Sequence, residues 1–179
     1  MLKSLIAAAA ALFAISLVPN IASAQDFYGK VAVGQTLNTD VGGLSLSDNS
    51  TFGIAVGANV NMFRVEVGVD RLTADISLFQ AAANDYSGTV YFDYPVGDRL
   101  KLYAGVGADY VQGRAELGFA HLDGSGWGRH VTAGMSYPIS NRITLEAQAR
   151  VLDSDLEVDY IGSQDFTAGT ATLGMRFRV

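Results

Sequence analysis

The chain reads as an all-β protein, an antiparallel up-and-down barrel of eight strands. Three observations predict it. Apolar residues alternate with polar or small ones at a period of two in eight segments of about ten residues. The connections between those segments run long, short, long, short. The last segment, Phe166 to Val179, presents an apolar row of Ala171, Leu173, Met175, Phe177 and Val179. A strand of this kind needs a partner along both edges, and pairing with the first strand closes the sheet.

The bulk composition narrows the field. The chain has 179 residues, no Cys and a formal charge of −6. That is one domain's worth of sequence. Disulfides and thiolate metal sites are excluded, and the acidic balance argues against nucleic acid as a partner. Residues 1–24 read as a cleaved signal peptide. Lys3 supplies the positive start, Leu5 to Val18 the apolar stretch, and Ala22-Ser23-Ala24 the cleavage site. A membrane anchor would need about 20 apolar residues. The barrel domain is then expected over 25–179, and losing Lys3 takes its formal charge to −7. No later segment is long and apolar enough for a membrane helix.

The elements follow in order. Phe27, Gly29, Val31 and Val33 oppose Tyr28, Lys30, Ala32 and Gly34. After a polar connection from Gln35 to Ser50, Phe52, Ile54, Val56, Ala58 and Val60 oppose Thr51, Gly53, Ala55, Gly57 and Asn59. A tight turn near Asn61 leads to Phe63, Val65, Val67 and Val69 against Arg64, Glu66, Gly68 and Asp70. A second long connection runs from Arg71 to about Asp85. Tyr86, Gly88, Val90, Phe92 and Tyr94 then oppose Ser87, Thr89, Tyr91 and Asp93, and Pro95 to Asp98 makes a short turn. Leu100 to Tyr110 alternates with Lys101, Tyr103, Gly105, Gly107 and Asp109. The third long connection, Gln112 to Gly126, precedes Trp127, Val131, Ala133, Met135 and Tyr137, which oppose Gly128, His130, Thr132, Gly134 and Ser136. A turn at Pro138 to Asn141 leads to Ile143, Leu145, Ala147, Ala149 and Val151 against Thr144, Glu146, Gln148, Arg150 and Leu152. The fourth long connection reaches Asp165 and the closing strand.

Strands of 9–11 residues suit a tilted membrane crossing. An even strand number, short turns on one side and long loops on the other mark a transmembrane barrel with short periplasmic turns and long extracellular loops. Lipid offers the backbone no hydrogen-bond partner, so a spanning sheet must close. A soluble barrel of the lipocalin kind would place the apolar face inside. Aromatic placement argues for lipid. Phe63, Tyr94, Tyr137 and Phe177 stand at the short-turn ends of the apolar rows, and Tyr86, Tyr110 and Trp127 at the long-loop ends. Two such girdles are expected at the two membrane surfaces.

The cleavage site, the eight alternating segments and the closing strand from Ala171 to Val179 resemble the small eight-stranded outer-membrane barrels of the OmpA/OmpX and opacity-protein type. The resemblance covers 25–179. It implies a cell outer membrane location, contact with membrane lipid and lipopolysaccharide, and recognition of the C-terminal strand by the barrel assembly machinery. It also implies a structural or surface-interactive role, adhesin-like or opacity-like, in a monomer, with a host or surface ligand engaged through the loops.

An eight-stranded barrel is just wide enough for side chains to fill it. The inward row supplies a lumen charge network of Lys30, Arg64, Lys101, Arg150, Arg176 and Arg178 with Glu66, Asp70, Asp93, Asp109 and Glu146. Asp93 and Lys101 flank one turn and are expected to face each other; Glu146 and Arg176 lie on neighbouring strands. Buried charges must be paired to be tolerated, so the network is expected to plug the barrel. The alternative is a narrow porin-like conduit.

Beyond Val69, Tyr110 and Val151 the two faces exchange character. Asp153, Asp155, Glu157 and Asp159 turn outward, and Leu152, Leu156, Val158 and Tyr160 inward. Arg114 and Glu116 stand opposite Val111, Ala115 and Leu117, and Arg71 and Asp75 opposite Leu72, Ala74, Ile76 and Leu78. The strands are therefore expected to project past the membrane over a small apolar core, with a pocket for an apolar ligand as the alternative. The carboxylate row is not an EF-hand, because Val158 and Gln164 occupy the positions that need Gly and Glu. No cofactor is expected. Nor is an enzyme: His130, Thr132 and Glu146 loosely resemble a lipid A deacylase set, but Thr replaces Ser and the group faces the lumen. His121 with Asp123 resembles a rim protease pair only on larger barrels.

Overall fold

The computed structural model describes residues 26–41, 44–46, 49–76, 79–117, 120–158 and 162–179. The segment read as a signal peptide lies outside these residues. The described chain is β1 (Asp26–Val41), β2 (Leu44–Leu46), β3 (Asn49–Val60), β4 (Phe63–Ile76), β5 (Phe79–Val96), β6 (Leu100–Leu117), β7 (Ala120–Pro138), β8 (Ile143–Val158) and β9 (Gly162–Arg178). Every strand pairs antiparallel with its chain neighbour, except that β3 pairs past the three-residue β2 onto β1. Pairing of β1 with β9 closes an eight-stranded barrel.

The strands are longer than the periodicity predicts, reaching 18 residues in β6 and 19 in β7. The stretches expected to be long loops are mostly ladder. Pairing continues to Ile76↔Phe79, Leu117↔Ala120 and Val158↔Gly162. The Gly-, Asn- and Asp-rich composition of these stretches suggests loop chemistry. The backbone ladder, however, needs only period-two geometry, and the exchange of faces leaves that period intact. The three short turns stand as expected. Asn61 holds φ 57°, and Gly97 holds φ 73° in the turn after β5. The polar side chain of Asn and the missing Cβ of Gly suit the left-handed region. Ser140 Oγ accepts from the backbone N–H of Arg142 and of Ile143 in the third turn.

The register measures the stagger. From Arg71 the paired row runs through Asn84, Gln112, Ser125 and Glu157 to Ser163. In the other direction it runs through Phe52 and Val33 to Leu173. Ser163 and Leu173 lie ten residues apart on β9, so the sheet closes with a stagger of ten and a strand tilt of about 40°. Correcting by about 1.25 residues per strand brings Phe27, Phe63, Tyr94, Tyr137 and Phe177 to one height. Arg71, Tyr86, Tyr110 and Arg129 come to a second height, with Trp127 just above.

The outside is apolar between these levels. Val33, Ile54, Val106, Val131, Val151 and Leu173 are all exposed, Val106 at 63% and Leu173 at 67%. The charged row lies inside, where Arg64 and Asp109 have no exposure. This inverted order excludes a soluble barrel with an apolar lumen. From Trp127 to Tyr137, about ten residues at about 3.3 Å each and a tilt of about 40° span about 25 Å, the height of a lipid-facing band. The rings support one another at both levels, with Phe63 and Phe92 edge-on at 5.7 Å and Tyr110 and Trp127 at 5.1 Å. Placing a charge at mid-height, Val106→Arg, is expected to cost about 2–4 kcal/mol, whereas the same change at Trp127 costs about 0–1 kcal/mol. Urea titration of vesicle-embedded protein measures both.

Candidate functional site: the lumen

The inward side chains form two polar tiers beneath an apolar cap. The lower tier centres on Arg64, the buried residue that follows Phe63 on β4. Its Nη1 lies 3.0 Å from Glu146 Oε1 and 3.6 Å from Glu66 Oε2, and its Nε lies 3.5 Å from Asp93 Oδ1. The guanidinium stacks on the Tyr91 ring at 4.0 Å and approaches the Tyr103 ring at 4.7 Å, so both charge and ring quadrupole hold it. Lys30 Nζ donates to Glu66 Oε1 at 2.5 Å, and the Tyr28 and Tyr91 hydroxyls donate to the same carboxylate. Arg176 Nε lies 3.0 Å from Glu146 Oε1. Three cations and three carboxylates thus balance in one layer.

Glycine makes room for the rings. A Cβ on Gly134 would stand 2.5 Å from the Tyr103 hydroxyl, and one on Gly57 would strike the Tyr28 ring. These close approaches allow the phenols to cross the lumen.

The upper tier centres on Arg150 of β8. Its Nη1 donates to Asp70 Oδ2 at 3.0 Å, and its Nη2 to Asp85 Oδ2 at 2.6 Å and to Asp109 Oδ1. His130 Nδ1 is 2.6 Å from Asp109 Oδ2, and its Nε2 is 2.9 Å from Thr89 Oγ1. Since the carboxylate accepts, Nδ1 carries the proton that faces Asp109. Between the tiers lies a cavity of about 40 Å³, bordered by Lys30, Glu66, Asp85, Thr89, His130 and Arg150. It has room for a few water molecules and little more. Above it Val111, Leu152, Phe166 and Ala168 pack into a buried apolar cluster with Ala83 against it.

Of the eleven residues assigned to the lumen network, nine stand in these tiers. Lys101 and Arg178 do not. Lys101 is exposed and pairs in register with Pro95 and Ser136. Arg178 is half exposed and meets Asp26 at 3.0 Å. Both have inward parity, but the stagger brings them to the height of the lower aromatic ring, where the lumen opens to water. Asp93 therefore meets Arg64 rather than Lys101. Asp85 joins the upper tier although the alternation starts its strand only at Tyr86; the signal the sequence offers is its parity with Ser87, Thr89 and Tyr91. The girdle residues Phe63, Tyr94, Tyr137, Phe177 and Trp127 are exposed, and Tyr86 and Tyr110 half-buried. In the projecting part, Leu72 is half-buried and Asp153, Asp155 and Glu157 are exposed. The side chains of Ala74, Asp75, Ile76, Leu78, Ala115, Glu116, Leu117, His121, Leu156, Val158, Asp159 and Tyr160 lie outside the described residues.

The architecture has counterparts among solved structures. Neisserial surface protein A is 17% identical, with a TM-score of 0.77 over 88% of this chain and all of that one. The N-terminal β-barrel domain of OprF from Pseudomonas aeruginosa is 14% identical, with a TM-score of 0.59 over 87% and 98%. Ail, the attachment invasion locus protein of Yersinia pestis, is 16% identical, with a TM-score of 0.58 over 86% and 99%. At these identities the likeness concerns the fold. No curated protein matches the sequence. The sequence itself matches the outer membrane protein beta-barrel domain over residues 5–178. An apolar belt outside, paired charges inside and that match lead to one conclusion: the chain belongs to the outer membrane protein β-barrel family and resides in the cell outer membrane.

Proposed function

We propose that this protein is a plugged barrel that supports the envelope and presents its projecting strand ends as an interaction surface. The observation that carries the proposal is the lumen. Two tiers of paired charges cross it, and Val111, Leu152, Phe166 and Ala168 cap it. Ion passage would require separating buried pairs, at several kcal/mol for each uncompensated charge. The apolar cap packs on itself, which favours a core over an apolar-ligand pocket. The Thr89–His130–Asp109 chain is buried beneath that cap, so no enzymatic role is assigned. Export with removal of residues 1–24, assembly through the C-terminal strand, and a monomeric state belong to the same proposal.

The surface role draws support from two fold relatives. One is a neisserial surface protein, and Ail has been crystallised with the heparin analogue sucrose octasulfate. The exposed Asp153, Asp155, Glu157 and Asp165 make a polyanion an unsuitable partner on β8–β9 here. Planar-bilayer recording tests the plug: a silent bilayer is expected, and sustained, well-defined conductance steps would favour the conduit. Shortening the hairpins above Arg71 and Gln112 tests the surface role. It should abolish cell-surface binding while the barrel still assembles; binding that survives would refute it.

A further inference from the structure

The two tiers of the lumen differ in charge. In the lower one Lys30, Arg64 and Arg176 balance Glu66, Asp93 and Glu146. In the upper one Asp70, Asp85 and Asp109 all converge on Arg150, and His130 can supply at most one further charge. Among the described side chains of the two tiers, six carboxylates therefore stand against four fixed cations. Asp70 and Asp85 are also register partners on β4 and β5, and like charges directly opposite each other repel. Arg150 answers one oxygen of each, with Nη1 on Asp70 Oδ2 and Nη2 on Asp85 Oδ2. The second oxygen of Asp85, Oδ1, has no hydrogen-bond partner in the protein, although the residue is only 1% exposed.

The cavity between the tiers lies against these two carboxylates, and Ser87, Thr89 and Gln148 add neutral oxygens to its wall. A Cβ on Gly53 would strike Asp70 Oδ1, so glycine at that position leaves the carboxylate its place. The two cations that border the space are already engaged, Lys30 with Glu66 at 2.5 Å and Arg150 with its three aspartates. Both ring nitrogens of His130 are engaged as well, with Asp109 and Thr89. What remains is a wall of oxygen donors without sulfur or free imidazole, which favours hard cations over transition metals. A proton on Asp85 Oδ1 answers the excess less well, because it creates a buried donor with no protein acceptor in reach. Among the described residues no three acidic or imidazole groups converge as a metal cage. An ion here therefore keeps part of its water, for which the cavity has room.

We propose that the cavity between the tiers binds one hard divalent cation, of the calcium or magnesium class, through Asp70 and Asp85. With His130 neutral, its two charges cancel the excess of carboxylates. Magnesium is commonly held by one or two carboxylates with water in its other positions, and calcium accepts irregular sets of oxygen ligands. The ion ties β4 to β5 at the height of Arg150 and relieves the repulsion between the facing aspartates. The inference rests on the charged lumen and not on its being closed. A barrel that conducts can hold the ion and a silent one can lack it, so bilayer recording and ion retention fail separately.

The test uses the purified full-length protein, folded into detergent with Ca²⁺, Mg²⁺ or Na⁺ as the only metal ion, and native mass spectrometry of the retained ion. Wild type is expected to keep one divalent ion per barrel and to unfold at a higher temperature as that ion is added. Sodium should be kept less, because a single charge leaves part of the excess. Asp85→Asn and Asp70→Asn should each lower divalent affinity about ten-fold and remove most of the thermal gain. Asp155→Asn with Asp165→Asn, on the exposed outer rim, should leave both readouts unchanged. Migration of unboiled samples on a detergent gel confirms that each variant is a closed barrel. Wild-type retention by either Asp85→Asn or Asp70→Asn overturns the proposal, as does a wild type that keeps no divalent ion. Loss of the ion in the outer-rim variant would assign it to the surface carboxylates. An infrared band of a protonated carboxyl group that Asp85→Asn removes would assign the excess to a proton. Both of these outcomes overturn the proposal as well.

Discussion

Arg64→Ala is expected to lower the stability of the membrane-embedded barrel by about 3–5 kcal/mol. The residue has no exposure and serves Glu66, Asp93 and Glu146 at once. Its removal leaves three carboxylates to Lys30 and Arg176, and it takes the guanidinium from between Tyr91 and Tyr103. The penalty arises from uncompensated buried charge more than from lost attraction. Adding Glu146→Ala should therefore cost much less than the sum of the two single changes, because neighbours in one network are not additive. Equilibrium urea unfolding in lipid vesicles measures all three variants. An additive double variant would show that Arg64 and Glu146 act independently and that the tier is not one unit. The lower lumen also gains volume, so this variant is the one most expected to leak in a planar bilayer.

Arg150→Ala should cost a similar amount, about 3–5 kcal/mol, for a different reason. Among the described side chains its guanidinium is the cation on which Asp70, Asp85 and Asp109 of the upper tier all converge. Without it, three carboxylates lose their shared cation, and two of them, Asp70 and Asp85, line a cavity that admits only a few waters. Removing acids at the same time should restore stability. Arg150→Ala combined with Asp85→Asn and Asp109→Asn is expected to recover at least half of the loss, which the same unfolding experiment reads. A triple variant no more stable than Arg150→Ala alone would locate the loss in packing, not charge. His130 gives a local probe, since its ring resonance should shift once Asp109 loses Arg150.

Much of this arrangement is legible in the sequence, and the reason is the parity of a strand. Successive side chains point to opposite faces, so Arg64, Glu66, Asp109, Glu146 and Arg150 share one wall without any knowledge of the partner strands. Parity does not fix height. Lys101 and Arg178 have the right parity and stand at the mouth, because a stagger of ten residues displaces each strand relative to the last. Asp93 and Lys101 are close in sequence, yet the same stagger brings Asp93 to Arg64 across β4 and β5. Glu146 and Arg176 were within reach of sequence reasoning because their strands are joined by nothing more than register.

The projecting part illustrates a second limit. Gly-, Asn- and Asp-rich stretches read as loops, yet they carry ladder to Ile76↔Phe79 and Leu117↔Ala120. Composition reports what surrounds a side chain, whereas the ladder depends on the backbone. Asp85 shows the gap: composition puts it at the end of a connection, whereas the ladder makes it one of three acids on Arg150.

By itself, the amino-acid sequence determined the number of barrel strands, the face each residue presents, the apolar belt and the two aromatic levels. These follow from local alternation and from the refusal of lipid to accept an unpaired backbone group. The tertiary structure alone decided the stagger of the sheet. From the stagger follow the two tiers, the cap above them, and the release of Lys101 and Arg178 to the mouth. Closing the barrel couples all eight strands, and no single strand contains the information that sets where its neighbour begins.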